Sequence, residues 1–296
     1  MDTQAPQRLN AHVEAGPLDG GLYLVATPIG TARDITLRAL DVLNAADVLA
    51  AEDTRVLRHL MDIHGIPLRG RRVLPYHDHN GDRARPALLE ALARGASLAY
   101  ASDAGTPLVA DPGFRLAREA AVAGHRVHAV PGPSAPLVAL SLSGLPSDRF
   151  LFAGFPPPAR GARIAWLQAA MAVDATVILF ESPRRVNRTL QEICEIDANR
   201  LTVVARELTK KFEEVIRGPA AELAADPRMA ALRGEVVMLI DRPGAAVVDD
   251  DLVRQALQNR LSRLTVKDAA RDVADELGLA RRDVYQIALG MQKDRE

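Results

Sequence analysis

The sequence predicts an α/β protein: two α/β units whose loops face each other across a cleft, followed by a small helical piece. Three observations predict it. Short apolar runs alternate with helix-length segments from Leu22 to Ser143, the order expected of strands that feed crossover helices in a mostly parallel, doubly wound sheet, and a second α/β unit follows from Phe150 to Ile240. A run such as Ser97-Leu98-Ala99-Tyr100-Ala101 does not alternate with polar residues, as befits a strand covered on both faces. Beyond Asp249 apolar residues recur at helical spacing with no strand between them.

Composition sets the outer bounds. With 296 residues, 48% of them hydrophobic and 25% charged, and a formal net charge of −1, the chain can bury a large core. It lacks the basic excess that holds nucleic acid by bulk electrostatics. Cys194, the single cysteine, sits at a helical core spacing and reads as a small buried hydrophobe rather than a nucleophile. Residues 1–19 read as a disordered tail, because they are polar and lack the charged start and apolar run of a signal peptide. The expected location is the cytoplasm, with no membrane span.

The first unit, residues 20–145, is justified strand by strand. Leu22–Ala26 ends in Thr27-Pro28-Ile29-Gly30, and Asp34 and Thr36 then offer N-caps for a helix with Leu37, Leu40 and Leu43 on one side. Asp47–Ala51 ends in Glu52-Asp53-Thr54-Arg55, where helix capping and a surface ion pair explain the residue types as well as catalysis does. Val73–Pro75 leads into Tyr76-His77-Asp78-His79-Asn80. A His-x-His pair without further ligands at suitable spacing does not make a metal site, and the stretch reads as a polar loop at a site mouth. Between Arg55 and Arg94 eight arginines stand against four carboxylates. Arg55, Arg71 and Arg72 are the candidates to meet phosphates there, against the plainer reading of a solvated helix face.

The centre of the unit is the strand Ser97–Ala101 with the loop Ser102-Asp103-Ala104-Gly105-Thr106-Pro107, after which Asp111-Pro112-Gly113 reads as an N-cap and first turn. Val127–Val130 ends likewise in Pro131-Gly132-Pro133-Ser134-Ala135. Three strand ends thus carry Pro, Gly and a hydroxyl residue, giving rigid loops with free backbone groups at the edge where open α/β sheets bind small molecules. Such loops suit an uncharged or zwitterionic adenosyl group. A triphosphate or nicotinamide dinucleotide is excluded by the missing glycine-rich fingerprints.

Gly144-Leu145-Pro146-Ser147-Asp148 breaks the pattern and opens the second unit, residues 146–244. Its strands are read at Phe150–Ala153, Ala175–Phe180, Leu201–Ala205 and Val236–Ile240. Phe155, Glu181-Ser182-Pro183 and Arg206-Glu207-Leu208-Thr209-Lys210 follow strand ends. Gly218-Pro219 and Arg242-Pro243-Gly244 read as punctuation. Residues 249–296 read as three short helices of helix-turn-helix shape, with Thr265 and Asp268 as a capping box and Gly278 as a stop. Nine basic against ten acidic residues in this piece make it a poor DNA binder by itself.

Taken in order, the loops Thr27–Gly30, Ala51–Arg55, His77–Asn80, Ser102–Pro107 with Asp111–Gly113, Pro131–Ala135 and Gly144–Phe150 resemble those of the ribosomal RNA small subunit methyltransferase I family, a branch of the tetrapyrrole methylases. The resemblance continues through Phe180–Pro183 with Arg185, Ala205–Lys210, Gly234–Val237 and the C-terminal helices. Thr31-Ala32 and Arg184 depart from it, standing where the family usually shows Asn-Leu and His. It implies two domains of the tetrapyrrole methylase type with S-adenosyl-L-methionine in the cleft between them. It further implies a homodimer that methylates the ribose 2'-hydroxyl of a cytidine in the decoding region of 16S ribosomal RNA, with the RNA or the small ribosomal subunit as partner and no metal. The cofactor residues so implied are Pro28, Asp103, Gly105, Thr106, Pro107, Ser134, Ala135, Phe155, Glu181, Arg206 and Glu207. The hydroxyl proton requires a base, for which Asp103, His77 and the Glu52-Asp53 pair are the candidates. Two other readings stay open at this point: a relative that methylates a small molecule such as a tetrapyrrole precursor, and a nucleic-acid-binding regulator without catalysis.

Overall fold

The structure, a computed structural model, describes residues 16–77, 79–111, 113–244, 250–277 and 281–293. Five parallel strands form the first sheet: β1 (Gly21–Val25), β2 (Val48–Ala51), β3 (Val73–Pro75), β4 (Ser97–Ala101) and β5 (Val127–Val130), in the order β3-β2-β4-β1-β5. Helices α1 (Leu37–Ala45), α2 (Thr54–Ile63), α3 (Gly81–Ala93) and α4 (Phe114–Val122) connect them. Side chains alternate across a strand, so the wholly buried β4 serves two cores. Ala99 and Ala101 pack with Leu43, Leu49 and Met61 on one face, while Leu98 and Tyr100 pack with Leu22, Leu88 and Leu116 on the other. This order sets the ends of β4, β1 and β5 side by side, so the three Pro/Gly loops meet.

The caps follow the sequence with two differences. Thr36 caps α1, its hydroxyl accepting from the Ala39 amide at 3.2 Å, and Leu40 and Leu43 point inward, but Leu37 remains exposed. Asp111 does not cap α4. Its carboxylate turns into the domain, where Oδ1 accepts from the Tyr100 hydroxyl at 2.7 Å and from the Gly113 amide at 2.7 Å, and burial pushes the carboxyl above its usual range. Pro112, like Asp78, lies outside the described residues.

The second sheet holds β6 (Phe150–Gly154), β7 (Thr176–Glu181), β8 (Leu201–Arg206), β9 (Glu214–Pro219) and β10 (Val236–Ile240), in the order β6-β7-β10-β8-β9. Of the hydrogen-bonded pairs only β6 with β7 is parallel; β10 lies antiparallel between β7 and β8, and β9 pairs antiparallel with β8. Gly218 and Pro219, read above as punctuation, instead end the edge strand β9, a position where proline breaks no central ladder. Helices α6 (Arg160–Met171), α7 (Val186–Ile196) and α8 (Ala220–Ala225), with a 3-10 turn at Pro227–Ala230, cover one face. The other face is covered by α5 (Ala135–Ser143), whose Ala139 and Leu140 pack on Ile178, Val203 and Leu239. Chain order puts α5 in the first unit; packing joins it to the second. Arg217 of β9 reinforces this by donating to the carbonyls of Leu142 and Ser143 at the end of α5.

The C-terminal helices α9 (Asp250–Leu261), α10 (Val266–Leu277) and α11 (Arg281–Lys293) enclose a separate small core of Val253, Leu257, Ala269, Ala270, Val273, Val284 and Ala288. The Thr265 hydroxyl accepts from the Asp268 amide at 3.2 Å and bonds the Asp268 carboxylate at 2.7 Å, closing the expected cap. Gly278 and the boundary at 245–249 lie outside the described residues, as do residues 1–15 of the expected tail. From Gly16 onward the tail is described, and Leu18 packs on the first core. Cys194 is half-buried against the second core. Among the described residues no helix is long and apolar enough to cross a membrane.

Candidate functional site

Strand ends from both sheets border one cavity of about 430 Å³, within the range that holds small molecules. The first sheet contributes Ile29 after β1, Glu52 after β2, and Asp103, Ala104, Gly105, Thr106, Val109 and Ala110 after β4, with Ser134, Ala135 and Pro136 at the start of α5. The second contributes Phe155 after β6, Phe180, Glu181, Ser182 and Pro183 at the end of β7, and Gly234, Glu235, Val236 and Val237 at the start of β10. The walls are mostly apolar, and carboxylates stand on both sides.

The central loop is held from within. Thr27 and Gly105 exchange reciprocal backbone hydrogen bonds at 3.0 Å each, Ser102 Oγ donates to the Gly105 carbonyl at 2.7 Å, and Thr106 Oγ1 donates to the Pro133 carbonyl at 2.9 Å. Gly105 has φ +80°, and a Cβ there would lie 3.2 Å from Ile29 Cγ2. The residue is glycine because the loops after β1, β4 and β5 interlock around it. The space a side chain would fill is that junction, not the open cavity.

Asp103 and Glu52 both line the cavity. Asp103 Oδ1 also accepts from the Asp53 amide at 2.7 Å, so one oxygen ties the loop after β4 to the start of α2. Asp53 faces Arg55 instead: its carboxylate takes the Arg55 guanidinium at 2.5 Å and the Arg55 amide at 2.8 Å, and that partner lowers its pKa to about 2. His77 is not among the lining residues. Its ring Nδ1 is buried and has no hydrogen-bond partner among the described residues, and the ring stands 6.0 Å from that of His79. The structure thus brings together two of the four expected bases, Asp103 and Glu52, and holds Asp53 and His77 apart from the cavity lining.

Of the residues expected at the cofactor, Asp103, Gly105, Thr106, Ser134, Ala135, Phe155 and Glu181 line the cavity, whereas Pro28, Pro107, Arg206 and Glu207 do not. The last two brace the wall from outside. Arg206 donates to Glu214 at 2.9 Å and to the Arg233 carbonyl at 3.2 Å, and Glu207 accepts from the Glu235 amide at 3.0 Å and from Lys210 at 2.9 Å. That amide hydrogen bond and Lys210 hold the Glu207 carboxyl below its usual range. Gly234, at φ +85°, fits over Glu207 only because it has no Cβ. The Gly234–Val237 wall is absent from the residues expected at the site, although a lone glycine before a strand is the mark such an approach leaves. Glu181, 3% exposed, is fully engaged by Ser182 N at 2.7 Å, Arg185 Nε at 2.7 Å and Thr189 Oγ1 at 2.8 Å.

The two domains touch beside the cavity as well. The Thr31 amide donates to Thr209 Oγ1 at 3.1 Å and the Thr31 hydroxyl to the Thr209 carbonyl. Of the arginines expected to meet phosphates, Arg55 is 87% exposed and Arg72 is exposed. Arg71 is turned inward, donating to the carbonyls of Leu43, Ala46, Pro67 and Leu68, and burial lowers its pKa. It closes the end of α1. Among the described residues no group of three or more His, Cys, Asp and Glu is arranged to hold a metal.

Comparison with known proteins agrees with this architecture. Residues 21–224 match the family of tetrapyrrole (corrin/porphyrin) methylases, and residues 246–292 match the RsmI C-terminal HTH domain. The chain is 46% identical over 283 residues to a ribosomal RNA small subunit methyltransferase I of Mesorhizobium japonicum, covering 95% of each chain. It is 40% identical over 290 residues to the protein of that name from Escherichia coli O157:H7, covering 96% of this chain and 100% of that one. Among solved structures, diphthine synthase superposes with a TM-score of 0.59 at 17% identity over 74% of this chain and 89% of its own. A uroporphyrin-III-C-methyltransferase from Thermus thermophilus superposes with a TM-score of 0.55 at 20% identity, over 75% and 94%. At those identities the two structures speak for the fold alone.

Proposed function

Because the chain belongs to the tetrapyrrole methylase family, in the branch of the ribosomal RNA small subunit methyltransferases I, we propose that it methylates the ribose 2'-hydroxyl of a cytidine in the decoding region of 16S ribosomal RNA, with S-adenosyl-L-methionine as donor. The observation that carries the reading is the cavity itself: mostly apolar, interdomain, and bordered by Asp103 and Glu52 at adjacent strand ends. An adenosyl group fits its composition, with apolar walls at Ile29, Phe155 and Phe180 and hydroxyls at Thr106, Ser134 and Ser182.

Bound there, S-adenosylmethionine supplies a sulfonium methyl whose transfer forms a C–O bond, breaks the C–S bond and leaves a neutral thioether. The protein's part is alignment and a proton. Holding the hydroxyl in line with the methyl is worth up to about 7 to 11 kcal/mol of the barrier, and the rigid loops after β4 and β5 provide that alignment. Asp103 takes the hydroxyl proton, its Oδ1 fixed by the Asp53 amide, and Glu52 supports it from the neighbouring strand. The reading carries a cytoplasmic homodimer that acts on RNA within or bound for the small ribosomal subunit.

The test is methyl transfer from radiolabelled S-adenosylmethionine to naked 16S RNA, to small subunits and to a tetrapyrrole precursor in parallel. Label at a ribose 2'-oxygen of a decoding-region cytidine is expected. Label in the tetrapyrrole alone overturns the RNA reading in favour of a small-molecule methylase. A second expectation concerns the exposed arginines: Arg55→Ala with Arg72→Ala should weaken RNA binding and reduce its log–log salt slope by about 0.7 to 0.9 for each phosphate that is no longer neutralised, with donor affinity unchanged. Arg71→Ala, by contrast, should lower the melting temperature and leave the slope alone, since its guanidinium is spent on carbonyls. An unchanged slope in the Arg55/Arg72 variant removes that patch from the interface.

A further inference from the structure

Phe155 is the first residue beyond β6; it is 57% exposed, lines the cavity, and stands 5.3 Å from the Phe180 ring. The next three residues are Pro156, Pro157 and Pro158. Prolines have no amide hydrogen to donate, so this strap is fastened through its carbonyls. What fastens it is Arg163 on α6, a fully buried side chain. Its Nη1 donates to the Pro157 carbonyl at 3.2 Å and to the Pro158 carbonyl at 2.7 Å. Nε and Nη2 form a two-pronged pair with the Glu192 carboxylate at 2.6 Å each, and Glu192, on α7, is 2% exposed. One turn earlier on α7 stands Thr189, which holds Glu181 in the cavity wall. A single helix therefore holds Glu181 directly and, through Arg163, the proline strap that follows Phe155.

Stability is a poor reason for such a pair. Well-packed apolar residues commonly replace a buried ion pair at no loss, because removing two charges from water offsets most of their attraction. What an apolar pair cannot do is aim a rigid fork of donors at two chosen carbonyls. We propose that Arg163 and Glu192 are positioning residues for the donor pocket: they hold the Pro156–Pro158 strap so that Phe155 closes one wall of the cavity. The proposal rests on the reading of that cavity as the S-adenosylmethionine site.

The experiment compares S-adenosylmethionine affinity by calorimetry in the wild type, the Arg163→Met/Glu192→Leu double variant, Phe155→Ala, and all three changes together. The double variant is expected to fold with a near-wild-type melting temperature and to bind about tenfold more weakly, the scale of one aromatic packing interaction. In the Phe155→Ala background the same double change should cost nothing further. Arg163→Lys, which keeps the charge and the pairing but not the fork, should fold and bind with an intermediate loss, so the proposal stays testable if the double variant does not fold. Wild-type affinity in the folded double variant or in Arg163→Lys overturns it, as does a tenfold loss that persists undiminished in the Phe155→Ala background. If Phe155→Ala and a folded Gly105→Val protein both bind normally, the cavity is not the donor site. A weakened Phe155→Ala beside a normal double variant sinks only the strap.

Discussion

Gly105→Val should give a folded protein with no calorimetrically detectable affinity for S-adenosylmethionine. A non-glycine residue in the left-handed region costs about 1 to 2 kcal/mol, less than the about 5 to 15 kcal/mol that holds an ordinary domain folded. The branched side chain must also clear Ile29 Cγ2, 3.2 Å from the Cβ position, and the Pro133 carbonyl at 3.6 Å. Either the loop after β4 shifts and breaks its reciprocal bonds with Thr27, or the loops after β1 and β5 part. Each outcome distorts three borders of the cavity together. Gly105→Ala, with the same backbone strain and a smaller clash, should bind with intermediate affinity. Unchanged donor affinity in a folded Gly105→Val protein would refute the central loop as part of the site.

Asp103→Asn should lower the single-turnover rate of methyl transfer about a hundredfold or more, the scale of a lost general base, while donor affinity stays near wild type. The structure sharpens this test. The one protein hydrogen bond described for the Asp103 carboxylate comes from the Asp53 amide, and an asparagine carbonyl still accepts it, though more weakly than a carboxylate, so the tie between the loop and α2 survives. A fall in rate at donor saturation therefore reports the lost charge. A wild-type rate would exclude Asp103 from the proton transfer. The assignment would then pass to Glu52, the other of the four candidates on the cavity wall, and not to His77.

Much of this architecture is legible in the sequence because short strands bounded by Gly, Pro and charged residues announce themselves, whichever way they run in the sheet. Val73–Pro75, Ser97–Ala101, Val127–Val130 and Val236–Ile240 have the same bounds in the sequence pattern and in the fold. The edge strand β9 escapes for a physical reason: Ile216 is its one buried side chain, so it carries no periodicity, and its terminal Gly-Pro imitates a turn. The insertion of β10 between β7 and β8 is a long-range pairing that no local pattern encodes. At the site, residues directly after strands stand out, because strand ends place them. Arg71 misleads because a guanidinium serves carbonyls and phosphates with the same donors, and only the fold shows which it meets. Arg163 gives no local signal at all, since its partner lies 29 positions away.

The position of α5 bears on how the molecule comes apart. This helix leaves the first sheet through Pro131-Gly132-Pro133 and spends its apolar face on the second, with Arg217 fastening its far end. A cut in the chain near residue 145 would strip Ile178, Val203 and Leu239 of their cover and leave Ala139 and Leu140 with nothing to pack on. The two α/β halves are therefore not modules that a recombination event could exchange at that boundary. Heat should undo them in a single cooperative transition, with the natural seam at the proline-rich crossing.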